Sequence, residues 1–221
     1  MIIAIDGPAA SGKSTTAKRV AETLNLLYID TGAMYRAATL IALQKKISLT
    51  NETDVLSAVR SSEITQKNIS NTTKTFIDGV DVSDTIRSRE VTSNVSQVAA
   101  FPSVRAVLVD QQKSMGKNGN VILDGRDIGT VVFPNADLKI FMIATAEERA
   151  KRRLKEFEEK GETLSLSEVI EDIKRRDKLD AEREASPLKK AEDAVEIDTS
   201  LCTIDEQVER IVKLVNEQKQ N

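Results

Sequence analysis

The sequence contains no histidine and no tryptophan, and it has a single cysteine, Cys202. Without histidine there can be no His-dependent triad, no HExxH metal site and no imidazole acid–base catalysis. One cysteine rules out an intramolecular disulfide framework and a Cys-based zinc site. With nothing nearby to favour a thiolate, Cys202 is expected to be structural and buried. Aromatic residues make up only 3% of the chain, too few for a base-stacking nucleic-acid platform. The formal net charge is −3, from 32 basic and 35 acidic side chains, which argues against a binder of phosphate backbones. Met1–Ile5 is apolar, but Asp6 ends the run, so no targeting segment is expected there. No window approaches the roughly 18 apolar residues of a membrane span. These readings place the protein in the cytoplasm, with no nucleic-acid or membrane partner. Any chemistry must come from carboxylates, Lys, Arg, hydroxyls, backbone groups or a metal held by oxygen.

The 221 residues suit one large domain or one domain with insertions, and 40% hydrophobic with 30% charged residues is ordinary for a globular chain. Five short apolar runs are predicted as strands: Ile2–Ile5, Leu26–Ile29, Val121–Leu123, Leu138–Ala144 and Ala194–Ile197. Several are continuous, as expected where both faces of a parallel sheet are covered. Helical segments alternate with them, which predicts an α/β fold. Three S/T-x-x-E patterns, Thr145 with Glu148, Ser165 with Glu168 and Thr203 with Glu206, mark helix starts. Ile204, Val208, Ile211 and Val215 recur at helical spacing and should dock the last helix on the core. Two stretches break the alternation. Residues 37–98 begin helically and turn polar, with Lys74–Val82 reading as a hairpin turning at Asp78-Gly79. Residues 145–192 hold 13 basic and 14 acidic side chains, the pattern of two solvated helices of mixed charge.

Gly7-Pro8-Ala9-Ala10-Ser11-Gly12-Lys13-Ser14 is G-x-x-x-x-G-K-S, placed between the first strand and a helical pattern at Thr15–Leu24. That is the setting a P-loop requires. Small residues let backbone N–H groups turn onto a phosphate, and the helix N-terminus adds positive potential. Lys13 can reach β- and γ-phosphates, and Ser14 can ligate Mg²⁺. Asp124, at the end of an apolar run, suits either a Mg²⁺ contact, direct or through water, or a simple turn before Gly125. The guanine-reading N/T-K-x-D and the D-x-x-G of GTPase switches are missing. A small-molecule kinase fits the length and the lack of histidine, because a phosphate monoester acceptor is already anionic and needs no strong base. Arg36 and Arg126 both follow core strands, near the ends where open α/β sheets bind ligands. They read as a bidentate phosphate grip or as surface ion pairs.

The blocks IAIDGPAASGKST (3–15), YIDTGAMYRA (28–37), VSQVAAFPSVR (95–105), ILDGRDIGTVVFP (122–134) and R-D-x-x-D-x-x-R (Arg176–Arg183) closely resemble the bacterial cytidylate kinases, the (d)CMP kinases of the nucleoside monophosphate kinase group. The resemblance runs from Ile2 to about Val215. It implies a P-loop NTPase-type five-stranded parallel sheet flanked by helices, forming a single kinase unit over 1–221. Within it, 36–98 would be an acceptor-binding insertion carrying the small β insert, and 147–170 a helical lid over ATP. The implied activity is Mg²⁺-dependent transfer from ATP to CMP or dCMP by a monomer. Gly7, Pro8, Ala9, Ala10, Ser11, Gly12, Lys13, Ser14 and Thr15 would hold ATP, with Ser14 and Asp124 at the metal. Thr31, Arg105, Asp127 and Arg183 would line the base pocket, with Thr31 standing where some relatives carry Ser. Ser96, Arg176 and Asp180 would bind the sugar, and Tyr35, Arg36 and Arg126 the acceptor phosphate. Arg149 and Arg153 share a face of the Thr145-capped helix, and one or both would reach ATP phosphates on closure unless they are solvated ion pairs. Arg153 joins Lys13 and Arg126 as the expected catalytic set. Another small P-loop kinase, or a nucleotide-binding regulatory module, remains the alternative at this stage.

Overall fold

A computed structural model of the chain describes residues 1–69, 72–159, 161 and 163–218. Strand β1 (Ile2–Asp6) leads through the glycine-rich loop into α1 (Lys13–Leu24), and β2 (Leu27–Asp30) runs directly into α2 (Thr31–Gln44). Then come α3 (Glu52–Arg60), the short strands β3 (Ile64–Ile69), β4 (Thr72–Ile77) and β5 (Val80–Asp81), and helices α4 (Arg89–Val98) and α5 (Pro102–Gly116). The last part holds β6 (Val121–Gly125), β7 (Leu138–Ile143), α6 (Ala146–Glu158), α7 (Leu166–Glu182), β8 (Val195–Asp198) and α8 (Ile204–Gln218).

The fold is α/β, built on a five-stranded sheet in the order β2-β6-β1-β7-β8. β1 pairs in parallel with β6 (Ile3↔Ile122) and with β7 (Ile3↔Leu138), and β7 pairs in parallel with β8 (Met142↔Ile197). Ile3, Ala4, Ile5, Ile122, Leu123, Met142 and Ile197 are all fully buried. A strand covered on both faces has no use for polar alternation, and this is why those runs read as continuous. The chain divides into two compact units, Met1–Leu27 with Asn120–Asn221 (unit 1) and Tyr28–Gly119 (unit 2).

In unit 1, α1 buries Thr16, Ala17, Val20 and Ala21 and packs against α8, which buries Val208, Ile211 and Val215 as its spacing predicts. Ser165 and Glu168 form a complete capping box, and Thr203 and Glu206 exchange the same two bonds. Thr145 accepts from the Glu148 amide at 3.2 Å. The charge-dense α6 and α7 face each other along a narrow apolar seam of Ala150, Phe157, Val169 and Ile173, with most charges outside it. Cys202 departs from expectation. It is partly exposed in the turn between β8 and α8, next to the almost fully exposed Leu201, and its thiol donates to the Asp198 carbonyl at 3.3 Å.

In unit 2, α2 packs on α3 and α4 around Met34, Ile41, Val55, Ile86, Val95 and Leu108. The hairpin turns at Asp78-Gly79, with φ of 50° and 81°, the two positive values a tight I′ turn needs. It pairs Ile77↔Val80 and Phe76↔Asp81. A third strand, β3, extends it in antiparallel register, Ile64↔Ile77. Its sequence ITQKNI lacks apolar alternation, so nothing in the pattern announces it. Among the described residues no helix is long and apolar enough to cross a membrane.

Candidate active site

The glycine-rich loop leaves the end of β1 in unit 1. Gly7 has φ of 148°, and a Cβ there would lie 2.1 Å from the Met142 carbonyl oxygen. Only glycine lets the loop start this close to β7. Lys13, the first residue of α1, is 4% exposed; its Nζ donates to Pro8 O at 2.6 Å and to Ser11 Oγ at 3.3 Å. Burial pushes its ammonium down to about 7, and Arg126 and Arg176 push the same way, against Asp124 and Asp6. Ser14 Oγ donates to Asp124 Oδ2 at 2.8 Å. The hydroxyl and the carboxylate that sequence reasoning linked to Mg²⁺ thus stand together, two hard oxygen donors of the kind that ion takes. Asp6 is buried, and burial raises its carboxyl to about 7, although the Gly129 and Ile128 amides oppose the shift.

A second cluster in unit 1 joins the residues after β6 to α7. Arg126 donates from Nε to Asp180 Oδ2 at 2.9 Å. Burial works to raise the Asp180 carboxyl, but Arg126, Arg176 and Arg183 outweigh it and hold it below its ordinary range. Burial likewise works against the Arg126 charge, and Asp180 and Asp124 more than restore it. Arg176, Asp180 and Arg183 stand at i, i+4 and i+7, so one face of α7 and its C-cap presents all three. Arg183 Nε donates to Ser186 O at 2.7 Å, and its Nη2 lies 3.9 Å from Asp127 Oδ1. Both side chains are buried.

The two candidate lid arginines separate clearly. Arg149 is buried, clamped by Asp177 (Nη1–Oδ1 3.0 Å, Nη2–Oδ2 2.6 Å), and it donates to Ala9 O in the phosphate loop at 3.2 Å. Arg153 pairs with Glu156 on its own helix at 2.5 Å and lies over the Phe157 ring at 4.5 Å. Sequence reasoning passed over Arg152, which donates to the Thr199 carbonyl and hydroxyl. The Thr199 hydroxyl in turn donates to Ser11 O at 2.9 Å. Gln207 of α8 accepts from Thr16 Oγ1 at 2.6 Å, so α8 also braces the start of α1.

Unit 2 gathers the other predicted residues around α2. Asp30 caps this helix, its Oδ1 accepting from Ala33 N at 2.7 Å. Its Oδ2 accepts from Arg36 at 3.1 Å and from Arg87 at 3.4 Å. Gln66 of β3 grips the Asp30 backbone at both ends, donating to its carbonyl at 2.6 Å and accepting from its amide at 3.1 Å. Thr31, Tyr35 and Ser96 are buried. Arg105 is buried too, 5.0 Å from the Tyr35 ring centroid, and donates to Ala99 O at 3.0 Å. Sequence reasoning missed Asp30, Gln66 and Arg87. An Asp immediately before a helix is an N-cap signal, so Asp30 could have been found. Gln66 and Arg87 meet it across 36 and 57 residues and carry no local signal.

The family model described as Cytidylate kinase matches residues 3–217. The chain is 53% identical over 215 residues to the cytidylate kinase of Geobacillus sp. (strain WCH70), covering 97% of this chain and 96% of the relative. It is 50% identical, over the same number of residues and the same shares, to the cytidylate kinase of Bacillus subtilis (strain 168). Among solved structures, an uncharacterized protein from Eubacterium ventriosum ATCC 27560 has a TM-score of 0.52 at 14% identity, covering 98% of each chain, and shares the fold. With half its residues shared along nearly the whole length of these relatives, and the family model running from β1 into α8, the chain belongs to the cytidylate kinase family.

Proposed function

We propose that this protein transfers the γ-phosphoryl group of ATP to CMP and dCMP, giving ADP and CDP or dCDP. The observation that carries this reading is the family match over residues 3–217. The geometry supplies the parts such a transfer needs, which are positioning and neutralisation of charge. Residues 7–15 would wrap the ATP phosphates. Lys13, whose charge burial disfavours, gains most when an anionic oxygen is brought to its Nζ. Ser14 and Asp124 would hold Mg²⁺, which supplies neutralisation of the phosphate oxygens when bound. Arg126, with its charge fixed by Asp180, would meet the transferring group beside Lys13. From the 147–170 lid, Arg149 already contacts the phosphate loop, and Arg153 would join it by leaving Glu156 as the lid closes and excludes water. Residues 160 and 162 of that stretch, and 70 and 71 of the 36–98 acceptor region, lie outside the described residues.

For the acceptor, Tyr35 and Arg36 with Arg126 would hold the CMP phosphate, and Ser96, Arg176 and Asp180 the sugar. Thr31, Arg105, Asp127 and Arg183 would read the base. Cytosine presents an amino donor beside two acceptors, N3 and O2. A carboxylate at Asp127 would accept from the amino group, and Arg105 and Arg183 would donate to the acceptors. Uracil reverses the first two positions, so the same groups would be left unpaired against it, a strong ground for rejection. The reaction needs only one copy of the chain and two soluble nucleotides of the cytoplasm; sedimentation at working concentration checks the monomer. A coupled assay of ADP release with CMP, dCMP, UMP, AMP and shikimate tests the whole reading. CMP and dCMP should dominate in kcat/KM. Equal or better use of shikimate, or ADP release indifferent to any acceptor, would replace this reading by another.

A further inference from the structure

The chain leaves β6 through Arg126 and Asp127 and then forms a π-helical turn at Ile128–Val132. Asp127 itself has φ of −145° and ψ of 23°, neither helical nor extended, so no regular element sets its orientation. The first N–H groups of any helical turn lack partners within it, and buried amides left unpaired are costly. Ile128 and Gly129 are both buried. Their amides are taken up from outside by one side chain, Asp6. Its Oδ1 accepts from Ile128 N at 2.9 Å and its Oδ2 from Gly129 N at 2.8 Å. Asp6 ends β1, pairs in register with Gly125, and immediately precedes Gly7, where the phosphate loop begins. The approach is close, since a Cβ on Gly129 would lie 3.4 Å from Asp6 Oδ2 and 3.1 Å from Lys139 Cδ.

With one amide on each oxygen, the carboxylate fixes the peptide planes on both sides of Ile128, and the first of these carries Asp127. The same two bonds occupy the oxygens, which argues against Asp6 as a base. We infer that Asp6 is a positioning residue for base selection: it ties the turn bearing Asp127 to the first residue of the phosphate loop and holds the Asp127 carboxylate at the angle that reads cytosine. The inference rests on the proposed role of Asp127. Asparagine is the discriminating replacement. It has nearly the same shape, but its amide offers one acceptor and sets an NH₂ against the second N–H.

The test measures kcat/KM for CMP and for UMP, and affinity for an ATP analogue, in wild type, Asp6→Asn, Asp127→Asn and the double variant. Asp6→Asn should lower kcat/KM for CMP about tenfold, mainly through KM, and narrow the CMP/UMP ratio, with ATP-analogue affinity within about twofold. Because both act through one group, Asp6→Asn added to Asp127→Asn should change the ratio by less than about twofold more. Loss of ATP affinity with the ratio intact, or effects that multiply, would overturn the inference while leaving the role of Asp127 standing. An unchanged ratio in Asp127→Asn alone would remove the base-reading role and the inference with it. Should Asp6→Asn not fold, Asp6→Glu, which keeps both acceptors on a longer arm, takes its place with the same expectations. Hydrogen exchange in the unaltered protein gives an independent reading: the Ile128 and Gly129 amides should exchange slowly, and rapid exchange of both would overturn the inference without any variant.

Discussion

Unit 1 and unit 2 handle charge in different ways. In unit 1 the cations Lys13, Arg149 and Arg183 lie buried, and Arg126 half-buried, among Asp6, Asp124, Asp127, Asp177 and Asp180, a network in which each charge depends on its neighbours. In unit 2 one carboxylate, Asp30, orients Arg36 and a more exposed Arg87, and a neutral amide, Gln66, holds the backbone under it. The contrast follows the work proposed for Lys13 and for Arg36. Neutralising a transferring phosphoryl group calls for preorganised charge in a water-poor setting. Gripping a substrate that arrives already charged calls for arginines aimed by a partner but still able to exchange it for phosphate.

If that contrast is right, removing Lys13 or Asp180 from the unit 1 network should damage turnover or stability, and removing Arg36 from unit 2 should damage acceptor affinity alone. Lys13→Ala is the extreme case. Losing a preorganised donor of this kind costs on the order of 3 kcal/mol or more, so kcat should fall by orders of magnitude while CMP still binds. Asp180→Ala should be nearly as costly, in stability. It leaves Arg126, Arg176 and Arg183 without their shared carboxylate, a loss of about 3 kcal/mol for a broken buried pair, read by denaturant unfolding. The pH dependence follows from the sign. The folded carboxyl sits below its ordinary 3.8, so its stabilisation is complete above that value and is lost as pH falls through the folded one. The gap in unfolding free energy between wild type and Asp180→Asn should therefore narrow as pH drops below about 4.

Effects in unit 2 should be smaller and confined to the acceptor. Arg36→Ala removes a charge-assisted grip worth roughly 1.5–3 kcal/mol, raising KM for CMP about ten- to hundredfold with ATP affinity unchanged. Arg36→Lys should restore only part, because an ammonium lacks the two-pronged geometry. Gln66→Ala should have the smallest effect. It leaves the Asp30 backbone groups to water, loosens the carboxylate that aims Arg36, and should raise KM for CMP a few-fold at unchanged kcat.

The same contrast explains which parts could be read from the amino acids. All five core strands lie within a residue or two of their apolar runs, and in β1, β6 and β7 burial on both faces makes the pattern unmistakable. The phosphate loop, the Asp78-Gly79 turn and the helix caps are local, set by residues a few positions apart. Strand β3 was hidden because its side chains are mostly polar and exposed, and its pairing with β4 depends on the partner. The site divides likewise. Lys13, Ser14 and Asp124 follow from motif and strand end, and their meeting is visible in the Ser14–Asp124 bond. Asp6, Asp177 and Gln66 act on partners that are distant in sequence, at Ile128, Arg149 and Asp30, so their roles emerge only from packing. The choice between Arg149 and Arg153 was of the same kind. Both share a helix face, and only the neighbouring helix, through Asp177, separates a buried clamp on the phosphate loop from a half-exposed pair with Glu156.

The most direct test of the division is calorimetric titration of CMP and, separately, of a non-hydrolysable ATP analogue into wild type, Lys13→Ala and Arg36→Ala. Lys13→Ala should lose affinity for the analogue and keep CMP within about threefold, while Arg36→Ala should lose at least about tenfold in CMP and keep the analogue. If both variants weaken both ligands to the same extent, the assignment of Lys13 to the donor and Arg36 to the acceptor is contradicted.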